Sequence, residues 1–337
     1  MEKVMSRKLI TISTIMTLMS TSVIADVPNV AADIAPIHSL VSRVMDGVGA
    51  PKLIVQSGAS PHGYRLRPSE AKALQDADHV FWMGEELTPW LDSAIGTLAS
   101  KASVTTLLDQ QGVILHDFRE GALFEAHDHS AHGDDDHDDH DDHKDHDDHD
   151  DHDDHDDHKD HDDHDDHGSH DPHAWLSPEN AKLWLNIIAS KLSVSDPENA
   201  ATYFMNAAAG QAEIEAMIAE VKATLKPVQG GKFVVFHDAY QYFENDFDFY
   251  ASGAISLGDS SDPSPARIEK VQKRIRDEGI QCVLAEPQFK KGLVATVMEG
   301  SDATASVIDP LGAELETGPK LYTQLIKNMA KTLRNCL

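Results

Sequence analysis

The chain has 337 residues, which is enough for two domains, and its 58 acidic against 28 basic residues give a formal net charge of −30. Such a charge disfavours nucleic acids and anionic membranes as partners. One run, residues 134–167, holds 21 Asp and 2 Lys and so carries −19, which leaves −11 for the rest, an ordinary value for a soluble protein.

The N-terminus has the pattern of a secretory signal peptide. Three basic residues precede an apolar stretch over 9–25, and Val23 and Ala25 fit the small-residue rule for cleavage. The stretch is short for a membrane span and contains several Thr and Ser. We therefore predict cleavage after Ala25, which removes residues 1–25 and leaves an exported protein.

Strand-like and helix-like patterns alternate between residues 30 and 108. The predicted strands are 30–34, 52–56, 79–83 and 104–108, and the predicted helices are 37–48, 68–76 and 87–100. Strands that alternate with helices indicate a parallel sheet built from βαβ units.

Residues 127–170 form a His/Asp-rich segment. From Asp134 to His167 every residue is Asp, His or Lys, and His recurs at every third position. No apolar residue lies in this run, so we predict a disordered loop. Imidazole suits zinc, copper and nickel, and we expect the run to bind metal weakly, because a floppy chain must be ordered on binding. The alternative is an acidic spacer or an inserted affinity tag.

Two helices are predicted after this segment, at 178–192 and 195–227. Ser177 is the expected N-cap of the first, with Pro178 at its first position. The second has about 30 residues and would be roughly 40 Å long. A helix of this length could connect two lobes as a stiff strut, and the alternative is a long surface helix.

A second set of alternating elements completes the chain. The predicted strands are 232–236, 249–257, 281–285 and 305–308, and the predicted helices are 264–278, 293–299 and 319–337. The predicted fold class is α/β, with two lobes that each hold a mostly parallel sheet flanked by helices. The N-terminal lobe spans 26–194, the connecting helix 195–227 and the C-terminal lobe 228–337.

Four potential metal ligands lie where such a fold places ligands. His62, His237 and Asp309 each follow an apolar strand, and His173 lies in a loop before a helix. Open α/β sheets bind ligands outside the carboxyl ends of their strands. Three neutral imidazoles and one oxygen make a tetrahedral zinc shell, so the placement predicts a Zn²⁺ site between the lobes.

The chain has two cysteines, Cys282 and Cys336. An oxidising compartment favours a disulfide between them. The alternative is two separate buried thiols.

Five motifs together resemble one known family. They are SPHGY (60–64), DPHAWLSP (171–178), FHDAY (236–240), AEPQF (285–289) and DPLG (309–312). In this order they resemble the metal-binding solute-binding proteins of ABC importers, most closely the zinc-uptake members, over essentially the whole mature chain. The resemblance implies two α/β lobes joined by one long helix, zinc in the cleft between them, and delivery of the ion to a membrane permease.

The resemblance also implies roles for individual residues. His62, His173 and His237 match the zinc ligands, and the third position distinguishes this chain from similar manganese transporters, which carry Glu there. The fourth ligand is Asp309 or a water. Some zinc members have Glu immediately before the first His, where this chain has Pro61.

Further residues receive supporting roles. Glu286 and Asp238 are candidates to orient a ligand His through its second ring nitrogen, and for Asp238 the alternative is helix capping. Cys282 and Cys336 match a disulfide of the zinc-uptake members, and a His-rich loop recurs among these in the same place. The histidines outside the motifs are expected to be structural or solvated: His38, His79 and His116.

The leading interpretation is a monomeric periplasmic zinc-binding protein, not an enzyme, that hands its ion to the permease of an ABC importer. A periplasmic zinc chaperone is a further candidate partner. The alternatives are a metal buffer or adhesin of the same fold, and a zinc hydrolase with three His and a water on its zinc. The chain has no hydrolase motif such as H-E-x-x-H.

Overall fold

The computed structural model describes residues 27–119, 124, 170–256, 263–289 and 291–337. The predicted signal peptide and nearly all of the His/Asp-rich segment lie outside the described residues.

The first lobe contains a four-stranded parallel sheet in the order β2-β1-β3-β4. Its strands are β1 (Val30–Ala32), β2 (Lys52–Leu53), β3 (His79–Trp82) and β4 (Ser103–Thr106), and its helices are α1 (Ala35–Val44), α2 (Pro68–Gln75) and α3 (Pro89–Leu98). The elements occur where the sequence predicts them. The strand predicted at 52–56 is only two residues long, because it lies at the sheet edge and pairs with β1 alone.

Two helices follow the first lobe, α4 (Pro178–Ser195) and α5 (Ala200–Leu225). The side chain of Ser177 accepts a hydrogen bond from the backbone N–H of Asn180, which confirms the predicted N-cap. The predicted single helix 195–227 is interrupted at its start. The buried carboxylate of Asp196 accepts hydrogen bonds from Asn199 and Tyr203, and a 3-10 turn over Pro197–Asn199 separates α4 from α5.

The second lobe repeats the architecture, with a parallel sheet in the order β6-β5-β7-β8. Its strands are β5 (Phe233–His237), β6 (Ala254–Ser256), β7 (Cys282–Ala285) and β8 (Thr304–Val307), and its helices are α6 (Gln241–Phe247), α7 (Pro265–Glu278), α8 (Lys291–Met298) and α9 (Leu321–Cys336). Helix α6 was not predicted, because seven residues hold too few turns for a clear apolar period. The predicted class of two parallel α/β lobes and one long helix is confirmed.

One hydrophobic cluster extends through both lobes, and each lobe has a smaller cluster of its own. The largest cluster of buried residues contains Ile37 from α1, Tyr203 from α5, Phe233 from β5 and Tyr322 from α9. Helix α9 packs against both α1 and α5, and the backbone N–H of Tyr322 donates to Ser39 Oγ at 3.0 Å. The C-terminal helix therefore fastens the second lobe to the first, in addition to the long helix α5.

The disulfide is present between Cys282 and Cys336, so this prediction is confirmed. It joins β7 in the middle of the second sheet to the last turn of α9. Within the part of the chain that the structure describes, no helix has both the length and the apolar character needed to cross a membrane.

Candidate metal centre

Three imidazoles meet from three separate segments. His62 lies in the loop after β2, His173 directly precedes a 3-10 turn over Ala174–Leu176, and His237 is the last residue of β5. The rings of His62 and His173 are 5.5 Å apart between centroids, and those of His173 and His237 are 5.2 Å apart. His173 thus neighbours both of the other rings, and the sharing of one ion by all three stays a prediction.

The two inner imidazoles face each other through the same ring atom. The Nε2 atoms of His173 and His237 are 3.4 Å apart. Two nitrogens that each bind a tetrahedral zinc ion at roughly 2.0–2.1 Å are separated by about 3.4 Å. The spacing of these two donor atoms therefore fits one shared zinc ion.

A buried carboxylate holds the other nitrogen of each inner ring. Asp171 Oδ1 accepts from His173 Nδ1 at 2.7 Å, and Glu286 Oε1 accepts from His237 Nδ1 at 2.5 Å. Carboxylates in this position set the tautomer and increase the basicity of the ligating nitrogen. The pairing predicted for Glu286 is present, and Asp171 plays the corresponding part for His173.

Both orienting carboxylates are themselves fixed. Asp171 is 2% exposed, and its backbone C=O accepts from the hydroxyl of Tyr242 at 2.7 Å. Glu286 is 3% exposed, and its second oxygen accepts from Gln288 Nε2 at 2.8 Å. The inner imidazoles are therefore held before any ion arrives, which reduces the ordering cost of binding.

The loop that carries His62 is less buried than the segments that carry His173 and His237. The indole N–H of Trp90 donates to the backbone C=O of Pro61 at 2.7 Å, and the backbone N–H of His62 donates to Ser60 Oγ at 3.3 Å. His62 is half-buried, whereas His173 and His237 are 5% and 3% exposed. His62 is therefore the most exposed of the three rings.

Asp309 shapes a loop close to the cluster. Its Oδ1 accepts from the backbone N–H groups of Leu311 and Gly312 at 2.9 and 2.8 Å, and its Oδ2 accepts from that of Ala313 at 2.5 Å. Burial, with the charges of Glu286 and Asp309, raises the pKa of Tyr240, whose ring lies 6.2 Å from that of His237. The three hydrogen bonds given above all join Asp309 to backbone N–H groups of its own loop.

The described side chains do not yet form a complete metal shell. No group of three or more His, Cys, Asp or Glu residues within the described ranges is arranged to hold an ion as it stands. The geometry consists of two facing imidazoles at metal-binding separation and a third ring in contact with one of them.

Asp238 has a different partner from the one predicted. Its carboxylate accepts hydrogen bonds from the guanidinium of Arg119, which also donates to Glu244. The carboxylate that orients His173 is that of Asp171. Burial raises the pKa values of Asp238 and Glu244, and Arg119 opposes both shifts. The Asp-x-His spacing of Asp171 and His173 could have revealed the first pair, but nothing local marks Arg119.

The remaining histidines have structural surroundings. His38 contacts the backbone C=O of Pro51 at 3.2 Å, and His79 contacts Ser195 Oγ at 2.7 Å. Burial lowers the pKa of both. The ring of His116 packs on Tyr242 with centroids 4.7 Å apart. These contacts agree with the structural roles that the sequence suggests.

Comparison with known proteins decides between the remaining interpretations. The family model described as "ZnuA: Zinc-uptake complex component A periplasmic" matches residues 30–336. The chain belongs to the ZnuA family. It is therefore a periplasmic zinc-binding component of an uptake system and not a zinc hydrolase, as the motifs predict.

Individual relatives agree with this assignment. The chain is 50% identical over 308 residues to the high-affinity zinc uptake system protein ZnuA of Brucella abortus (strain 2308), with 91% of each chain covered. It is 46% identical over 314 residues to the protein of the same name from Paracoccus denitrificans (strain Pd 1222), with 93% of each covered. A crystal structure of ZnuA has the same fold, with a TM-score of 0.69, 20% identity, and coverage of 92% of this chain and 99% of that one.

Proposed function

We propose that His62, His173 and His237 bind one zinc ion between the two lobes, and that the protein hands this ion to the permease of an ABC importer. The observation that carries the proposal is the 3.4 Å separation of the Nε2 atoms of His173 and His237, with each Nδ1 held by a carboxylate. With each Nδ1–H donated to a carboxylate, the neutral rings present both Nε2 lone pairs toward one point. One ion at that point would bind both.

Three imidazoles favour zinc over harder cations. Imidazole is a good ligand for zinc, whereas carboxylate, carbonyl and water ligands suit manganese, magnesium and calcium. Asp171 and Glu286 contribute their negative charge through the imidazoles and not as direct ligands. The two together also offset much of the 2+ charge that would be buried with the ion.

We assign the fourth position to Asp309, with a water as the alternative. Oδ2 of Asp309 accepts one backbone N–H and keeps acceptor capacity, while Oδ1 accepts two. The three N–H groups hold this carboxylate on a rigid loop. A carboxylate placed in this way could bind zinc without first losing side-chain freedom.

The test is a zinc titration of the mature chain against a chromophoric chelator, with His237→Ala and His173→Ala as variants. We expect each variant to lose the tightest binding event. His79→Gln is the matched control, because its imidazole contacts Ser195 at the far end of α4 from His173, and it should bind as the unaltered chain does. Tight zinc binding that survives in both Ala variants would refute this site.

Export and delivery complete the proposal. The 1–25 segment would direct the chain to the periplasm, and the mature protein would begin at Asp26, which an intact mass of the secreted protein would test. The His/Asp-rich segment would bind further zinc weakly and so raise the local concentration of zinc near the cleft. The permease of a zinc importer is the expected partner, and the mature protein is expected to be a monomer.

A further inference from the structure

Arg119 holds two buried carboxylates beside the candidate metal centre. Its Nε donates to Asp238 Oδ1 and Oδ2 at 3.0 and 3.1 Å, its Nη1 donates to Glu244 Oε2 at 2.6 Å, and its Nη2 contacts both carboxylates. The guanidinium carbon lies 3.6 Å from the centre of the Phe124 ring. The side chains of Arg119, Asp238 and Glu244 are only 16%, 7% and 1% exposed.

One of these carboxylates is directly next to a ligand. Asp238 follows His237, and the backbone turns tightly there, with the N–H of Ala239 donating to the C=O of His237 at 3.0 Å. The carboxylate that Arg119 holds therefore belongs to the residue next to a proposed zinc ligand.

A carboxylate at this place has two possible uses. It can be paired with a cation of the protein, or it can be available to a bound metal. Carboxylate ligands favour hard cations such as manganese, whereas an imidazole shell favours zinc. The bidentate ion pair with Arg119 commits both oxygens of Asp238 in a geometry that a carboxylate leaves only at a cost.

We propose that Arg119 is a positioning residue for metal specificity, which keeps the carboxylate of Asp238 engaged so that the cleft offers imidazoles and not a further hard oxygen donor. This role rests on the proposed zinc site. A purely structural ion pair, which ties the chain near residue 119 to α6, would stabilise the fold without affecting the choice of metal.

The experiment compares the dissociation constants of zinc and manganese by chelator competition at one pH. For Arg119→Met we expect the manganese-to-zinc ratio of dissociation constants to fall about tenfold or more, the size of effect seen for residues behind metal ligands. The double variant Arg119→Met/Asp238→Asn should restore most of the original ratio. Arg119→Lys, which keeps the positive charge, should change it less than Arg119→Met.

The control is Arg43→Met. Arg43 also forms a bidentate pair, with Glu213 at 3.1 Å for both contacts, and its side chain is 14% exposed, but its partner lies on α5. This variant should lose stability without a change in the ratio. Arg119→Gln, which removes the charge and the guanidinium fork but keeps an N–H donor, provides a second variant if Arg119→Met does not fold.

Two results would overturn the proposal. An unchanged ratio in both Arg119→Met and Arg119→Gln would leave Arg119 as a structural ion pair. A changed ratio that persists in the double variant would show that the effect does not act through Asp238. Failure of the zinc site itself would be seen separately, as tight zinc binding that survives in His237→Ala.

Discussion

His173 and His237 each donate a hydrogen bond from Nδ1 to a buried carboxylate. Asp171 reaches His173 within one tight loop, while Glu286 reaches His237 from the adjacent strand of the second sheet. One pair depends on local sequence and the other on strand pairing. Removing either acid tests how much the second ring nitrogen matters to zinc affinity.

Glu286→Gln is expected to weaken zinc binding by about 10- to 100-fold, because an amide keeps the hydrogen bond but loses the charge that increases the basicity of His237. Chelator competition measures the change. Glu213→Gln is the control, since Glu213 is half exposed and pairs with Arg43 on α1. A change below about threefold for Glu286→Gln would contradict the role assigned to its carboxylate.

His79 should make the stability of the metal-free protein depend on pH. Burial lowers its pKa below the ordinary 6.5, and its Nδ1 has no hydrogen-bond partner among the described atoms. Below pH 6.5 the unfolded chain therefore takes up a proton that the folded chain resists, so stability is full above that pH and falls as the pH drops.

His79→Gln should make this loss shallower, because Gln does not titrate and its amide can still donate to Ser195. Urea unfolding at several pH values between 5 and 7.5, with chelator present, measures the slope. His170→Gln is the control for an exposed histidine. Parallel slopes for His79→Gln and the unaltered chain would argue against this origin of the pH dependence.

At the scale of elements, α9 is fastened at both ends. Near its start, Tyr322 donates its backbone N–H to Ser39 on α1 and its hydroxyl to the backbone C=O of Trp175 at 2.9 Å. At its end, Cys336 is bonded to Cys282 in β7. The helix thus contacts the first lobe and the segment after His173, and the disulfide attaches its C-terminal end to the second sheet.

Removing the disulfide should cost about 4 kcal/mol of unfolding free energy, because the bond closes a loop of 54 residues and restricts the unfolded chain. The double variant Cys282→Ala/Cys336→Ser and urea unfolding measure this. The unaltered protein should lose a similar amount in reductant, whereas the variant should not respond to reductant. A cost below about 1 kcal/mol would mean that the unfolded chain is compact around this pair without the bond.

At the scale of the whole molecule, the candidate site is built from residues that lie outside the run 134–167. Of the three candidate histidines, His62 lies in the loop after β2, His173 precedes a 3-10 turn and His237 ends β5, and the largest buried cluster runs through both lobes. Ligands held on rigid elements lose little conformational entropy when an ion binds. Ligands in a run of Asp and His without apolar residues lose more, because the chain must be ordered at each site. The two regions should therefore differ in affinity.

Deletion of 134–167 should leave the tightest zinc-binding event intact and reduce the total number of zinc ions bound. Isothermal titration of the deletion and of the full mature chain measures both quantities. Equal stoichiometry in the two proteins would show that the run binds no zinc. Loss of the tightest binding event in the deletion variant would mean that the tight zinc site lies in residues 134–167 and not in the cleft.

The sequence by itself determined the repeated βαβ order, the long helix and the disulfide, and it predicts the candidate ligands at three strand ends and in one loop. These features can be predicted locally, because the period of apolar residues, the turn residues and the motif spacing each depend on a short stretch of sequence. Helix α6 was missed, since seven residues give too weak a period.

Only the tertiary structure decided which acid serves which imidazole, that Arg119 takes Asp238, and that α9 joins the two lobes in one hydrophobic cluster. These contacts join residues from 2 to 283 positions apart, most of them distant in sequence. Such pairs form only when sheets and helices pack together. Their packing depends on the whole fold, so a single stretch of sequence does not predict it.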